Sequence, residues 1–171
     1  IYPTMINNEN IPSIEKLLEN IPWDSLYSGI PSFIHGDLQF DNILYDKKTD
    51  KFLLIDWRQD FAGETGLGDL NYDLAKLLGG IILNYDYIKK GLFNYSEKNE
   101  EKQFDFATKI STSKFEKIFY DYLISNDLNI KKIKILTGLI FLNMAPLHHK
   151  PFNFILFALG MQTIHENINS G

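Results

Sequence analysis

Apolar and polar positions change their rhythm partway along the chain. From about Asp69, Leu70, Leu74, Leu77, Leu78, Ile81 and Ile82 fall on one stripe at helical spacing, which predicts a helix over Asp69–Tyr85. Further helical stretches are expected at roughly 112–125, 130–145 and 152–168, with Pro146 and Pro151 bracketing the turn between the last two. Upstream the pattern is shorter. Ile11–Asn20 reads as a brief helix, with Pro12 near its start and Ile14, Leu17 and Leu18 on one face. Ser32–Ile34 is a short apolar entry into a loop. Ile43–Tyr45 and Lys51–Ile55 read as two strands joined by the polar turn Asp46–Asp50, hence a hairpin. Trp57–Gly68 is a glycine-bearing loop without a clear period, and Asn94–Glu101 reads as a polar connection. A hairpin set in a mostly helical body makes the expected fold class α+β, not a wound parallel sheet.

Composition narrows the picture without identifying it. The 171 residues fit one domain or one large lobe, and 44% hydrophobic content suffices for a substantial core. Net charge is −5, and Arg58 is the single arginine among 17 basic residues, so the chain is a poor candidate for nucleic-acid binding. There is no cysteine, which excludes disulfides, thiolate zinc sites and cysteine nucleophiles and fits a reducing cytoplasm. Ile1-Tyr2-Pro3 does not open a signal peptide. The apolar stretches Ile133–Leu147 and Phe152–Met161 are too short to span a bilayer, so buried helices and no membrane insertion are expected.

The chemistry concentrates in Phe33-Ile34-His35-Gly36-Asp37-Leu38-Gln39-Phe40-Asp41-Asn42-Ile43-Leu44. It contains His-x-Asp-x-x-x-x-Asn, the spacing of a kinase catalytic loop, and Asp56 follows at the end of the strand 51–55. Phosphoryl transfer requires a carboxylate beside the acceptor hydroxyl and oxygen ligands that hold magnesium against the nucleotide phosphates. Asp37 suits the first task. Asn42 and Asp56 suit the second, as metal and nucleotide ligands. His35 is placed among the catalytic residues as a brace of the loop rather than a proton carrier.

Three segments, His35-Gly36-Asp37-Leu38-Gln39 with Asn42-Ile43-Leu44, then Ile55-Asp56-Trp57, then Gly68-Asp69-Leu70 with Asp73-Leu74-Ala75, resemble the choline kinase and aminoglycoside phosphotransferase family. The likeness is close over roughly residues 30 to 80. Asp56–Gly63 also resembles kinase-like proteins of bacterial surface-sugar pathways. The resemblance implies a kinase-like C-terminal lobe, ATP or GTP, Mg2+, a small-molecule hydroxyl acceptor, and Asp73 as a support of the catalytic loop. Protein kinases carry Arg before the catalytic Asp. Gly36 stands there in this chain, and Trp57-Arg58 replaces their Phe-Gly, so protein substrates are not expected.

About 30 residues precede the motif, too few for the family's nucleotide-gripping lobe. Residues 1–171 are therefore expected to form one C-terminal lobe that works with an upstream N-terminal lobe and is weakly active or inactive alone. Gly63–Gly68 follows the metal Asp and lacks a following Lys, so it reads as a turn and not a phosphate loop. Asp41, Trp57, Asp60 and Glu64 are candidates for contacting the acceptor, with Phe40 and Phe61 as further aromatic walls. His148-His149 reads as a helix-end turn, because adjacent residues point apart and no third metal ligand is evident. The expected function is a phosphotransferase lobe for a sugar or sugar phosphate. The alternatives are a choline, ethanolamine or aminoglycoside kinase, or a kinase-like module that binds without turnover.

Overall fold

The computed structural model describes residues 4–109 and 111–169. Two short strands open it, β1 (Thr4–Ile6) and β2 (Glu9–Ile11), followed by α1 (Ile14–Glu19), α2 (Trp23–Tyr27) and the two-residue strand β3 (Pro31–Ser32). A loop then leads to β4 (Ile43–Asp46) and β5 (Lys51–Leu54), and a second loop to β6 (Gly68–Asp69) and α3 (Leu70–Ile82). The chain continues through α4 (Tyr85–Lys89), β7 (Phe93–Lys98), β8 (Glu101–Phe106), α5 (Thr112–Ser125), α6 (Ile130–Met144) and α7 (Phe152–Asn169). The result is a mixed α+β fold consistent with a kinase-like one.

The apolar stripe of α3 packs on α5 and α6 through Leu74, Leu78, Phe119, Leu123, Ile133 and Ile140. Burying each such side chain contributes roughly 1.5–3 kcal/mol. Helices α6 and α7 run against each other with no side chain between them at one crossing. A Cβ on Gly138 would lie 3.0 Å from the Gly160 carbonyl oxygen and 2.6 Å from Ile164, and a Cβ on Gly160 would lie 2.9 Å from the Gly138 oxygen. The other face of α7 is covered by the first strands and α1, where Ile6, Ile11 and Leu17 meet Ala158 and Met161.

The sequence pattern is corrected at three places. The segment Asn94–Glu101, expected as a polar connection, lies within the hairpin β7–β8, paired from Phe93↔Phe106 to Lys98↔Glu101. Its signal is an alternation of aromatic and polar residues. Phe93, Tyr95, Phe104 and Phe106 turn inward onto the α4–α7 side of the core, while the intervening polar residues face out. The hairpin joins a four-stranded sheet of order β2-β1-β8-β7, in which β1 and β8 run parallel. Both hairpins of this sheet close through two-residue turns with positive φ at each central residue, Asn7-Asn8 and Asn99-Glu100, the geometry that matches strand twist.

The helix expected over Asp69–Tyr85 is split. Asp69 caps α3, accepting from the Asn71 N–H at 3.0 Å, and Asn84 starts α4 by accepting from the Tyr87 N–H at 3.1 Å. A polar cap after Ile82 therefore ends one helix and begins another. The helix expected over 11–20 is confined to Ile14–Glu19, with Ser13 as its cap. The strands 43–46 and 51–54 pair antiparallel. Their hairpin stands away from the helices, so Tyr45, Phe52, Leu44 and Leu53 are exposed on its two faces. No helix among the described residues is long and apolar enough to cross a membrane.

The Gly138–Gly160 crossing leaves no room for a branched side chain. Gly138→Val should destabilise the protein by about 2–3 kcal/mol through overpacking. Urea unfolding is expected to show a lower midpoint with an unchanged slope.

Candidate active site

The loop between β3 and β4 is fixed from below by one carboxylate. Asp73, in the first turn of α3 and 5% exposed, accepts from the backbone N–H of His35 at 2.6 Å and of Gly36 at 2.8 Å, one through each oxygen. Such charge-assisted bonds are the strong class, and here they satisfy a carboxylate that burial would otherwise penalise. Gly36 adopts φ +79°, and a Cβ there would lie 2.7 Å from Cβ of Arg58. Glycine is thus required both by the backbone and by the arginine stem that crosses it.

His35 is 2% exposed, and both ring nitrogens meet backbone groups. Nε2 lies 2.7 Å from the Ile55 carbonyl oxygen, which can only accept, so Nε2 carries the proton. Nδ1 accepts from the Asp37 N–H at 3.2 Å. The ring packs against Trp57 with centroids 4.9 Å apart. His35 therefore ties the loop to the end of β5 and has no nitrogen free for a substrate. Two more bonds stitch the same elements together, Ile55 N–H to the Asn42 carbonyl at 3.0 Å and Arg58 N–H to the His35 carbonyl at 2.9 Å. Between them sits Asp56, exposed and at φ 59°. Aspartate tolerates this left-handed conformation better than most residues, and the bonds on either side hold it there.

Asp37 presents a carboxylate with three neighbours. One oxygen, Oδ2, accepts from the side-chain amides of Gln39 and Asn42, both at 3.2 Å. The other, Oδ1, is 2.6 Å from Nζ of Lys76, a lysine on α3 that is 9% exposed. The Asn42 amide nitrogen also donates to the Asp37 carbonyl at 2.9 Å. With its nitrogen so engaged, Asn42 keeps its side-chain oxygen as a pure acceptor, which meets no donor among the described residues. That oxygen and the exposed Asp56 carboxylate are hard donors of the kind magnesium takes. The described residues hold no cluster of three or more His, Cys, Asp or Glu for a metal, so the donors on offer are an amide oxygen and a carboxylate rather than an all-carboxylate cage.

Asp37 opens onto a cavity of about 550 Å³ whose walls include Gln39, Arg58, Lys76, Tyr85, Asn143 and His148. Gln39, Asp41 and Tyr85 also line a second cavity of about 340 Å³, together with Phe40, Asp86 and Phe115. Trp57, Asp60 and Glu64 are not on either. They line a third hollow of about 170 Å³ on the side of His35 and Gly36. The Asp60 carboxylate accepts from the Gly63 N–H at 3.0 Å, and Phe61 and Glu64 exchange backbone bonds, so this stretch is a tight turn. Asp41 lies 3.6 Å from Lys89 at the surface. Phe40 packs against Phe115 and Phe61 against Tyr72. His148 follows the 3-10 turn Ala145–Leu147 and packs on Tyr85 and Phe152, and its burial lowers its pKa below the usual histidine range. Burial, then the charges of Asp37 and Asp41, push the Tyr85 hydroxyl up to about 12, so it remains a donor.

Sequence reasoning missed Lys76, Gln39 and Tyr85. Lys76 follows Asp73 by three positions on the same helix face, off the apolar stripe of α3, and nothing in the sequence alone ties it to the loop.

Asp73→Ala would leave two amide donors facing an apolar gap beneath the loop. It should destabilise the chain by about 2–4 kcal/mol. In thermal unfolding the loss is expected to exceed that of Asp60→Ala, whose carboxylate is at the surface.

Comparison with known proteins agrees with this geometry. The model of the APH family, described as the phosphotransferase enzyme family, matches residues 9–95. No curated protein and no solved structure matches the chain. The matched segment runs from β2 into β7 and contains the whole loop from His35 to Asn42, Asp56, Asp73 and Lys76. With a match over more than half its length that includes the Asp37 loop and its anchors, this chain belongs to the phosphotransferase enzyme family.

Proposed function

We propose that the chain is the phosphoryl-transfer lobe of a small-molecule kinase, moving the γ-phosphoryl group of ATP or GTP to a hydroxyl of a sugar or sugar phosphate. The observation that carries this reading is the carboxylate of Asp37, held by Gln39, Asn42 and Lys76 at the wall of a large cavity. A carboxylate so fixed can orient an acceptor hydroxyl and take its proton as the bond to phosphorus forms. Asn42 and Asp56 would hold Mg2+, which supplies charge neutralisation at the nucleotide phosphates. The His35 ring bonds keep both ligand-bearing segments in register.

The chemistry of the cavity favours a polyhydroxylated acceptor. Gln39, Arg58, Lys76 and Asn143 offer donors and acceptors, and Tyr85 offers a ring face. A second reading rests on the neighbouring cavity, where Asp41 and Asp86 stand with Phe40, Phe115 and Tyr85. Acids with several rings suit a cationic amine such as choline, ethanolamine or an aminoglycoside. The exposed apolar faces of the β4–β5 hairpin support a further partner, an upstream N-terminal lobe that closes over the nucleotide. A cytoplasmic location accords with a nucleotide substrate and a chain without cysteine.

Transfer of label from γ-32P-ATP, or from GTP, to glucose, glucose 1-phosphate, choline, ethanolamine and kanamycin, with magnesium, tests this reading. It should be run on the 171-residue chain and on the full-length product of its gene. A sugar or sugar phosphate is expected to turn over fastest, chiefly in the full-length protein. Asp37→Asn should lower kcat by about a thousandfold. Choline outpacing every sugar would reject the sugar assignment and leave the kinase intact. Undiminished transfer by Asp37→Asn would reject the role of Asp37.

A further inference from the structure

Lys76 holds Asp37 in place, yet its charge has no part in the transfer step as described so far. Its side chain comes from α3, is 9% exposed, and its ammonium sits 2.6 Å from Oδ1 of Asp37. A lysine is rarely buried to this degree, and one that is needs a counter-charge. The two oxygens of Asp37 are not equivalent. Oδ2 already accepts two amide hydrogens, from Gln39 and Asn42, which fill its two lone-pair sites. Oδ1 accepts from Lys76 alone, so it is the oxygen with capacity for one more proton. The acceptor's proton must arrive beside the ammonium.

We propose that Lys76 is a catalytic residue, whose ammonium passes from Asp37 Oδ1, as that carboxylate is neutralised, to the anionic oxygens of the phosphoryl group arriving on the acceptor. The inference rests on the reading that Asp37 receives the acceptor's proton. In the step, the acceptor O–H bond breaks and its proton goes to Oδ1. The same acceptor oxygen forms a bond to the γ-phosphorus. The bond from that phosphorus to the β,γ-bridging oxygen breaks, and its electron pair leaves with the nucleoside diphosphate. Protonation removes the charge that Lys76 was paired with. The phosphoryl group, bringing its own anionic oxygens, arrives next to the same ammonium at the same moment, while the charge that Asp37 loses appears on the departing diphosphate. Lys76 thus exchanges one anion for another without being left unpaired at a position only 9% exposed. A preorganised cation aimed at developing charge is the kind of group that accelerates such transfers.

Lys76 lies on α3 three residues beyond Asp73. One helix face therefore fixes the loop backbone with an acid and the reactive carboxylate with a base. Placement by a helix on the core gives the ammonium the rigidity that charge stabilisation requires.

Two measurements test the proposal. The first is turnover of the best acceptor from the panel above, in the full-length protein. Lys76→Met should lower kcat by about a hundredfold while KM for the nucleotide changes by less than about threefold, because the contact forms only during transfer. Lys76→Arg, which keeps the charge, should recover at least about tenfold of that loss. The second uses inorganic phosphate as the probe on the 171-residue chain, by isothermal titration without nucleotide. Asp37→Asn frees the ammonium of its counter-ion, so phosphate should bind at least about tenfold tighter than to the parent. The double variant Asp37→Asn/Lys76→Met removes both charges, which protects against misfolding from an unpaired carboxylate, and should lose that gain. A Lys76→Met enzyme within threefold of the parent kcat, when Asp37→Asn is disabled, would make Lys76 an ion-pair partner only and overturn the proposal. So would a gain in phosphate affinity that persists without Lys76, or no gain at all. Full turnover by Asp37→Asn would instead remove the proton route through Asp37, and the proposal with it.

Discussion

The buried carboxylate of Asp73 is the constraint on which the rest of the site depends. Loops of this length have many conformations, and fixing each residue costs about 1–2 kcal/mol of backbone entropy. Asp73 offsets part of that by accepting two successive N–H groups, His35 and Gly36, at 2.6 and 2.8 Å. Two adjacent amides can point at one carboxylate only if the backbone bends between them, at His35, and Gly36 with its positive φ then turns the chain on toward Asp37. Once His35 is fixed, its ring reaches the Ile55 carbonyl, and through it the placement of Asp56 becomes tied to the same anchor. One acid on one helix thereby sets the register between the loop and the β4–β5 hairpin.

Charges alternate along this path: Asp73, then Lys76, then Asp37. Each is partly or wholly withdrawn from water, and each is satisfied by a neighbour rather than by solvent. Replacing such a group with an apolar one can be harmless for folding, but removing one partner from a pair is not, because the other remains buried and charged. The arrangement is therefore costly to maintain as a device for stability alone. It stands at the wall of the cavity onto which Asp37 opens, where a fully satisfied set of charges keeps the carboxylate in one place.

Much of this was legible in the residues, for different reasons. Helices α3, α5, α6 and α7 follow from apolar residues at helical spacing, because each buries one stripe against the others. The loop motif was legible because its chemistry demands fixed residue types at fixed distances. The β7–β8 hairpin was not, since Asn94, Ser96 and Glu97 give it a polar look. The aromatic residues that hold it inward belong to a two-residue period that is easily lost beside charged neighbours. Residues that act through space were the least legible. Lys76 and Tyr85 stand far along the chain from Asp37, and no spacing rule brings a helix lysine to a loop carboxylate. Trp57, Asp60 and Glu64 follow Asp56 closely in sequence, yet they line the hollow beside His35 and Gly36 and not the cavity onto which Asp37 opens.

The core and the site are joined more directly than either pattern alone suggests. Thr137 on α6 is fully buried, and its hydroxyl lies 3.1 Å from the Ala75 carbonyl, the residue just before Lys76. The next residue is Gly138, where α6 meets α7 backbone to backbone. The ammonium beside Asp37 is therefore held in place by a stack that runs from α3 through Thr137 to the α6–α7 crossing. Close-packed interiors have little slack, so a shift at that crossing moves neighbouring elements instead of being absorbed locally. A displacement well under the width of an atom matters little to a hydrophobic contact, but a charge pair at 2.6 Å is sensitive to it. The placement of the Asp37–Lys76 pair is in this sense a property of the glycine crossing on the far side of α6.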